Sequence, residues 1–141
     1  MKITQLSVFA ENKPGHVIAP VRLLADHAID LRALSLADTQ RFGILRMIVS
    51  DAEKAAALLE EAGFLVKLTE VLALAVPDHP GGLSEILNLF EGTPVNIEYM
   101  YAFPYGLDGK KAALIFRFDD PDAALALLAK AGVKPLDREE L

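Results

Sequence analysis

Glu11-Asn12-Lys13-Pro14-Gly15 joins an alternating apolar run to a run of helical spacing, and the same join returns, altered, as Val76-Pro77-Asp78-His79-Pro80-Gly81-Gly82. Proline sets one backbone angle, and the glycine after it accepts conformations that other residues resist, so each pair turns the chain sharply and lets a backbone or a ligand come close. A helix is expected just after each copy. Its first amides have no partner inside the helix and, helped by the helix dipole, can hold a carboxylate.

Outward from the first turn, Ile3 to Ala10 mixes alternation with β-forming residues and reads as a strand. After the turn, Val17, Ile18, Val21, Leu24, Ala25 and Ala28 recur at helical spacing, leaving Arg22, Asp26 and His27 for the solvent side; Pro20 is a discord, expected to start or bend the helix. Ile29 to Ala37 reads as a second strand and Ile44 to Val49 as a third, apolar on both faces and therefore central. Asp51 opens a helix from Ala52 to Ala62 that ends at Gly63, and a fourth strand begins at Phe64.

The second half repeats this order, with strands at Val71 to Val76, Val95 to Phe103, Lys111 to Phe118 and Val133 to Leu136, and helices at Leu83 to Phe90 and Asp120 to Ala131. Gly15 and Gly81 stand 66 positions apart, as do Asp30 and Asn96, whereas Asp51 and Asp120, like Gly63 and Gly132, stand 69 apart. The extra residues fall in the loop containing Leu107-Asp108-Gly109. The register is that of a duplicated small domain, not of a solenoid unit. The expected class is α+β, two ferredoxin-like βαββαβ units in tandem over residues 1–70 and 71–141, each an antiparallel sheet with helices packed on one face. Phe64 to Val76 holds no glycine or proline, so no flexible linker is expected between them.

Composition excludes several classes of function. The net charge is −6 and no lysine or arginine cluster occurs, which disfavours nucleic acid and acidic membranes. No cysteine is present, so disulfides, thiolate metal sites and a cysteine nucleophile are ruled out. No apolar run approaches the roughly twenty residues of a membrane-spanning helix, and the start lacks an apolar signal segment; a cytoplasmic protein is expected. At 141 residues and 52% hydrophobic content, two half-sized units would each be marginal alone, and self-association as a homodimer is expected.

Other residues carry little chemistry. His16, His27 and His79 are scattered, with no spacing for zinc or a triad, so no metal and no catalytic residue is assigned; His16 and His79 flank the two turns and could reach a ligand carboxylate. Tyr99, Tyr101 and Phe103 share a strand face, with Tyr105 beyond, a row that suits packing better than base stacking. No nucleotide-binding glycine loop occurs, and no cofactor is implied.

Asn12-Lys13-Pro14-Gly15, a helix, then Ala28-Ile29-Asp30-Leu31 resembles the signature of the ACT domain, a small regulatory unit that binds amino acids. The second half is similar through Asp78-His79-Pro80-Gly81-Gly82 and Pro94-Val95-Asn96-Ile97-Glu98-Tyr99, and the chain as a whole resembles stand-alone proteins made of two ACT domains. The resemblance implies a free amino acid held where ACT domains meet, between the Pro-Gly turn of one and the start of the second strand of another. Carried onto this chain, the turn contributors are Asn12, Lys13, Pro14, Gly15 and His16, then Asp78, His79 and Gly81; the strand contributors are Asp30, Leu31, Asn96 and Ile97. Amides near Gly15 would receive the ligand's carboxylate, with Asp30 or the Asn12 carbonyl receiving its ammonium group. Asp78 departs from the pattern, because a carboxylate there repels the ligand's own, so the second copy is expected to be degenerate.

Three other classes stand beside this non-catalytic sensor. One is a regulatory subunit that grips an amino-acid biosynthetic enzyme, such as an acetolactate synthase. Another is a ligand-free dimerisation module. The last is a small ferredoxin-like enzyme, which the lack of a paired base and nucleophile counts against.

Overall fold

The structure, a computed structural model, describes residues 2–104 and 110–141. Tyr105 and the Leu107-Asp108-Gly109 stretch lie outside the described residues. The elements run β1 (Ile3–Glu11), α1 (Ile18–Asp26), β2 (Leu31–Asp38), β3 (Phe42–Val49), α2 (Ala52–Glu61), β4 (Leu65–Pro77), α3 (Gly82–Leu87), β5 (Ile97–Pro104), β6 (Lys111–Phe118) and α4 (Pro121–Lys130), with short 3-10 turns at Asn88–Phe90 and Arg138–Glu140. The chain divides into two compact units, Thr4–Thr69 and Glu70–Leu141, the latter taking in the first residues of the chain. This is the α+β, tandem ferredoxin-like arrangement that the repeated order of elements predicts.

In the Thr4–Thr69 unit, β3 lies between β2 and β1 and is antiparallel to both, pairing Leu34 with Met47 and Val8 with Leu45. Leu6 and Val8 of β1, Leu45, Met47 and Val49 of β3, Leu24 of α1 and Ala55 and Leu59 of α2 form one buried cluster, so both helices pack on one sheet face. Gln5 and Ser7 are buried on β1, and the Gln5 amide donates to the Ser7 hydroxyl at 3.4 Å. In the Glu70–Leu141 unit, β6 is antiparallel to both β4 and β5, and Leu72, Leu74, Phe116, Phe118, Ile86 and Leu128 build the corresponding core. Here the ring of Phe118 sits 4.9 Å from that of Phe90 and 5.6 Å from that of Phe116, so aromatic contacts do what aliphatic ones do in the first unit. Tyr99, Tyr101 and Phe103 pair across strands with Arg117, Ile115 and Ala113, which confirms that they share a face.

The helix ends follow their caps. The Asp51 carboxylate accepts from the Lys54 amide and the Asp120 carboxylate from the Ala123 amide, each satisfying an amide that the helix leaves open. In the same unit as α4, Lys2 Nζ donates to Asp122 at 2.9 Å and pairs with Glu70 at 3.4 Å, which raises the Lys2 ammonium above its ordinary range, chiefly through the Asp122 hydrogen bond.

Three expectations need correction. The strand beginning near Phe64 and the strand at Val71 to Val76 are one element, β4, because nothing between them removes an amide or favours a turn. Val133 to Leu136 forms no strand: the Leu136 amide donates to the Ala73 carbonyl at 2.8 Å and its side chain is buried, but the segment is otherwise irregular. On α1 the buried stripe runs through Pro20 and Leu24, whereas Ile18 is 52% exposed and Ala25 is exposed. Pro20 fits because it sits in the first turn of the helix, where its missing N–H would have no intrahelical partner anyway.

Candidate ligand-binding site

Lys13-Pro14-Gly15-His16 is a hydrogen-bonded turn: Gly15 has φ +81° and the His16 amide donates to the Lys13 carbonyl at 3.2 Å. His79-Pro80-Gly81-Gly82 repeats it, with Gly81 at φ 90° and ψ −10° and the Gly82 amide 3.0 Å from the His79 carbonyl. Proline second and a positive-φ glycine third is the pattern of a type II turn, in which only glycine is unstrained at the third place. Each turn is also fastened to the start of a later strand, Asn12 N to Arg41 O and Asp78 N to Lys110 O, both at 2.9 Å. These bonds keep the sequence register, since 12 and 78 differ by 66 and 41 and 110 by 69.

The first turn opens onto a pocket of about 340 Å³, walled by Phe9, Ala10, Pro14, Ala19 and Phe64 and rimmed by Glu11, Lys13, Gly15, His16 and Gly63. That volume lies in the range of small-molecule sites, and the walls are mostly apolar. Among the described residues, no acceptor meets the amides of Gly15, Val17 or Ala19 at the start of α1, and Val17 supplies no side-chain cap. Lys13 Nζ lies 3.2 Å from the Glu11 carboxylate at the rim, an exposed pair that neutralises itself. On its other flank the turn borders a second concavity of about 370 Å³, shared by Asn12, Lys13, Gln40, Arg41 and Phe42. Asn12 Nδ2 donates to the Gln40 carbonyl at 3.4 Å.

The structure thus brings Lys13, Pro14, Gly15 and His16 together on one pocket and sets Asn12 on the adjoining one. Asp30 and Leu31 line neither. Asp30 is held by its backbone, its amide 3.0 Å from Ser50 Oγ and its carbonyl accepting from the Ser50 amide, while its exposed carboxylate stands 3.8 Å from Arg32 Nε. Asn96 is pinned in the same way: its amide donates to the Asp119 carboxylate at 2.8 Å and its carbonyl accepts from the Asp119 amide. Leu31 and Ile97 are half-buried against the two cores, and Asp78, His79 and Gly81 are exposed. All three histidines place Nδ1 on a nearby carbonyl, His16 on Lys13 at 2.7 Å, His27 on Leu23 at 2.9 Å and His79 on Pro80 at 2.9 Å. An Nδ1 facing a carbonyl is the donor, which fixes the tautomer of the neutral ring.

The pocket walls Phe9, Ala19 and Phe64 carry no sequence signal as site residues. Gly43 reads from the sequence as the end of the polar loop Asp38 to Gly43, but β3 begins at Phe42 and takes it in, and a glycine inside a strand marks a close approach. The approach is by the His16 ring, whose Nε2 lies 2.7 Å from where a Cβ on Gly43 would stand.

Two α+β units, each with antiparallel strands backed by helices and a Pro-Gly turn leading into a helix, make a tandem of small repeated domains. The ACT domain pair family matches residues 1–141, and the chain belongs to that family. Protein BT0572 from Bacteroides thetaiotaomicron is similar in structure, with a TM-score of 0.91 at 36% identity over 99% of this chain and 95% of that one. The ligand-free regulatory subunit of aspartate kinase from Thermus thermophilus shares the fold, with a TM-score of 0.65 at 16% identity over 91% of each chain. The corresponding subunit from Thermus flavus gives 0.61 at 17% identity, again over 91% of each. The comparison with curated proteins returned no match.

Proposed function

We propose that this chain is a non-catalytic regulatory protein that binds a free amino acid at its first Pro-Gly turn. Residues 1–70 and 71–141 would be its two ACT domains. The observation that carries the reading is the conjunction at Lys13-Pro14-Gly15-His16 of an apolar-walled pocket with two lining residues, Gly15 in the turn and Ala19 in the first turn of α1, whose amides have no acceptor among the described residues. A zwitterion needs donors for its carboxylate, which those amides offer, and the walls suit an uncharged side chain. The ammonium group needs an acceptor, and the Glu11 carboxylate on the pocket rim is already engaged by Lys13. Asp30, exposed and outside the pocket, fits that role if it is presented by a second copy of the chain in a homodimer.

The test is a thermal-shift panel of the twenty common amino acids at millimolar concentration. A ligand present at a hundredfold excess over its Kd stabilises by about 2.7 kcal/mol, a rise in Tm of several degrees. Gly15→Arg should abolish the rise, because it places a long side chain on the turn at a positive φ. A panel silent throughout defeats the reading. The fold shared with the aspartate kinase regulatory subunit from Thermus thermophilus supports a second reading, a subunit that binds a biosynthetic enzyme. Stoichiometric co-purification with such an enzyme would separate that role from a free-standing sensor.

A further inference from the structure

We propose that Gly43 and His16 act as a pair to hold the first Pro-Gly turn in its pocket-bearing shape, with Gly43 a positioning residue of the site that need not touch ligand. The inference rests on the amino-acid-binding reading for its consequence, but its structural core is independent of any ligand. The Lys13 carbonyl takes two hydrogen bonds from His16, one from the backbone amide at 3.2 Å and one from Nδ1 at 2.7 Å, so the imidazole clamps the turn shut across Pro14 and Gly15. In that position the Nε2–Cδ2 edge of the ring lies against Gly43 of β3. A Cβ at position 43 would stand 2.7 Å from Nε2 and 2.9 Å from Cδ2, and Leu36 Cδ1 is already 3.5 Å from the same point.

Any side chain at position 43 therefore displaces the ring. To reach ordinary van der Waals contact the ring must retreat by roughly 0.7 Å, which, taken along the bond to Lys13, lengthens it from 2.7 Å to about 3.4 Å and weakens it. Lys13, Gly15 and His16 all line the pocket, so loosening the clamp reshapes its rim.

The second half supports the pairing by reversing it. The residues in register with His16 and Gly43 are Gly82 and Ala112, as the pairing of Ala10 with Gly43 and of Val76 with Ala112 shows. Where the Cβ is present on the strand, the residue after the Pro-Gly pair carries no ring; the imidazole of the second turn, His79, stands before the pair and meets the Pro80 carbonyl instead. The second turn lacks the clamp altogether.

The experiment uses the full chain and three variants, Gly43→Ala, His16→Asn and the two combined. Asparagine keeps a side-chain N–H for the Lys13 carbonyl but is smaller than imidazole, so it tolerates the added methyl. In the ligand-free wild type, NMR of the imidazole nitrogens should show His16 fixed as the Nδ1-protonated tautomer, and the His16 amide, bonded to the Lys13 carbonyl, should exchange slowly. Gly43→Ala should erase the tautomer preference and speed that exchange while leaving the circular dichroism spectrum unchanged. Against whichever amino acid of the panel stabilises the wild type, Gly43→Ala should weaken binding by roughly tenfold or more. Adding His16→Asn should recover most of it.

A Gly43→Ala protein that keeps both the tautomer signature and the affinity overturns the proposal, as does a double variant with no recovery of exchange protection. If no amino acid stabilises the wild type, the binding reading fails on that result alone, and the clamp is decided by the tautomer and exchange measurements.

Discussion

In the first turn the Lys13 carbonyl receives both the amide and the ring of His16, and the ring rests on Gly43; in the second, the corresponding residue is Gly82, with no side chain at all, packed against the end of β4. A Cβ on Gly82 would stand 1.9 Å from the Pro77 carbonyl oxygen, so no other residue fits there without moving the helix. The two turns nonetheless share their backbone conformation, their positive-φ glycine and their bond to a later strand. The Pro-Gly pair dictates the bend, and the residue after it decides whether the bend carries a side chain beside a cavity or closes on its own backbone. The helices differ too: α1 has nine residues and α3 has six, so the second turn feeds a helix with less dipole to offer.

The largest effect expected from this contrast is that of Gly82→Ala. The clash is with backbone, which cannot rotate away, and overpacking of this severity should cost roughly 3 kcal/mol in urea denaturation. A loss of no more than about 0.5 kcal/mol, the ordinary scatter of surface changes, would mean that the second turn is not closed in this way. A smaller and matched effect is expected from Gly15→Ala and Gly81→Ala. The Cβ at 15 meets only Ile18 Cδ1 at 3.9 Å, and at 81 it meets nothing within 4 Å, so the cost is the left-handed backbone alone, about 1.5 kcal/mol each. Equal losses of Tm in the two variants would show that the backbones are equivalent; a clear inequality would break the parallel. The smallest effect is that of Asp51→Ala and Asp120→Ala, each of which removes one carboxylate cap. Chemical denaturation should report about 1 kcal/mol for each, with no difference between halves.

Local chemistry made much of this legible. The Pro-Gly turns, the caps at Asp51 and Asp120 and the register of the repeat all rest on residues close together in sequence, and each stands where that chemistry places it. The spacing of 66 and then 69 is reproduced by hydrogen bonds from Asn12 to Arg41 and from Asp78 to Lys110, which only a true repeat would supply. The α1 face was misplaced because Pro20 was set aside as a discord, when a proline in the first turn can be part of the buried stripe. Val133 to Leu136 shows strand-forming residues but only one hydrogen bond to the neighbouring strand, and propensity without a ladder does not make a strand. The pocket was hidden for a different reason: Phe9 and Phe64 meet only when the chain is folded, as do His16 and Gly43.

The exchange of bulk between positions 16 and 43 in one half and 82 and 112 in the other also constrains ancestry. A lineage that held glycine on the turn and alanine on the strand gains no clamp by acquiring the imidazole first, since the strand methyl already stands in its berth. Sequences descended from one duplicated gene should therefore pair histidine on the turn with glycine on the strand more often than with alanine.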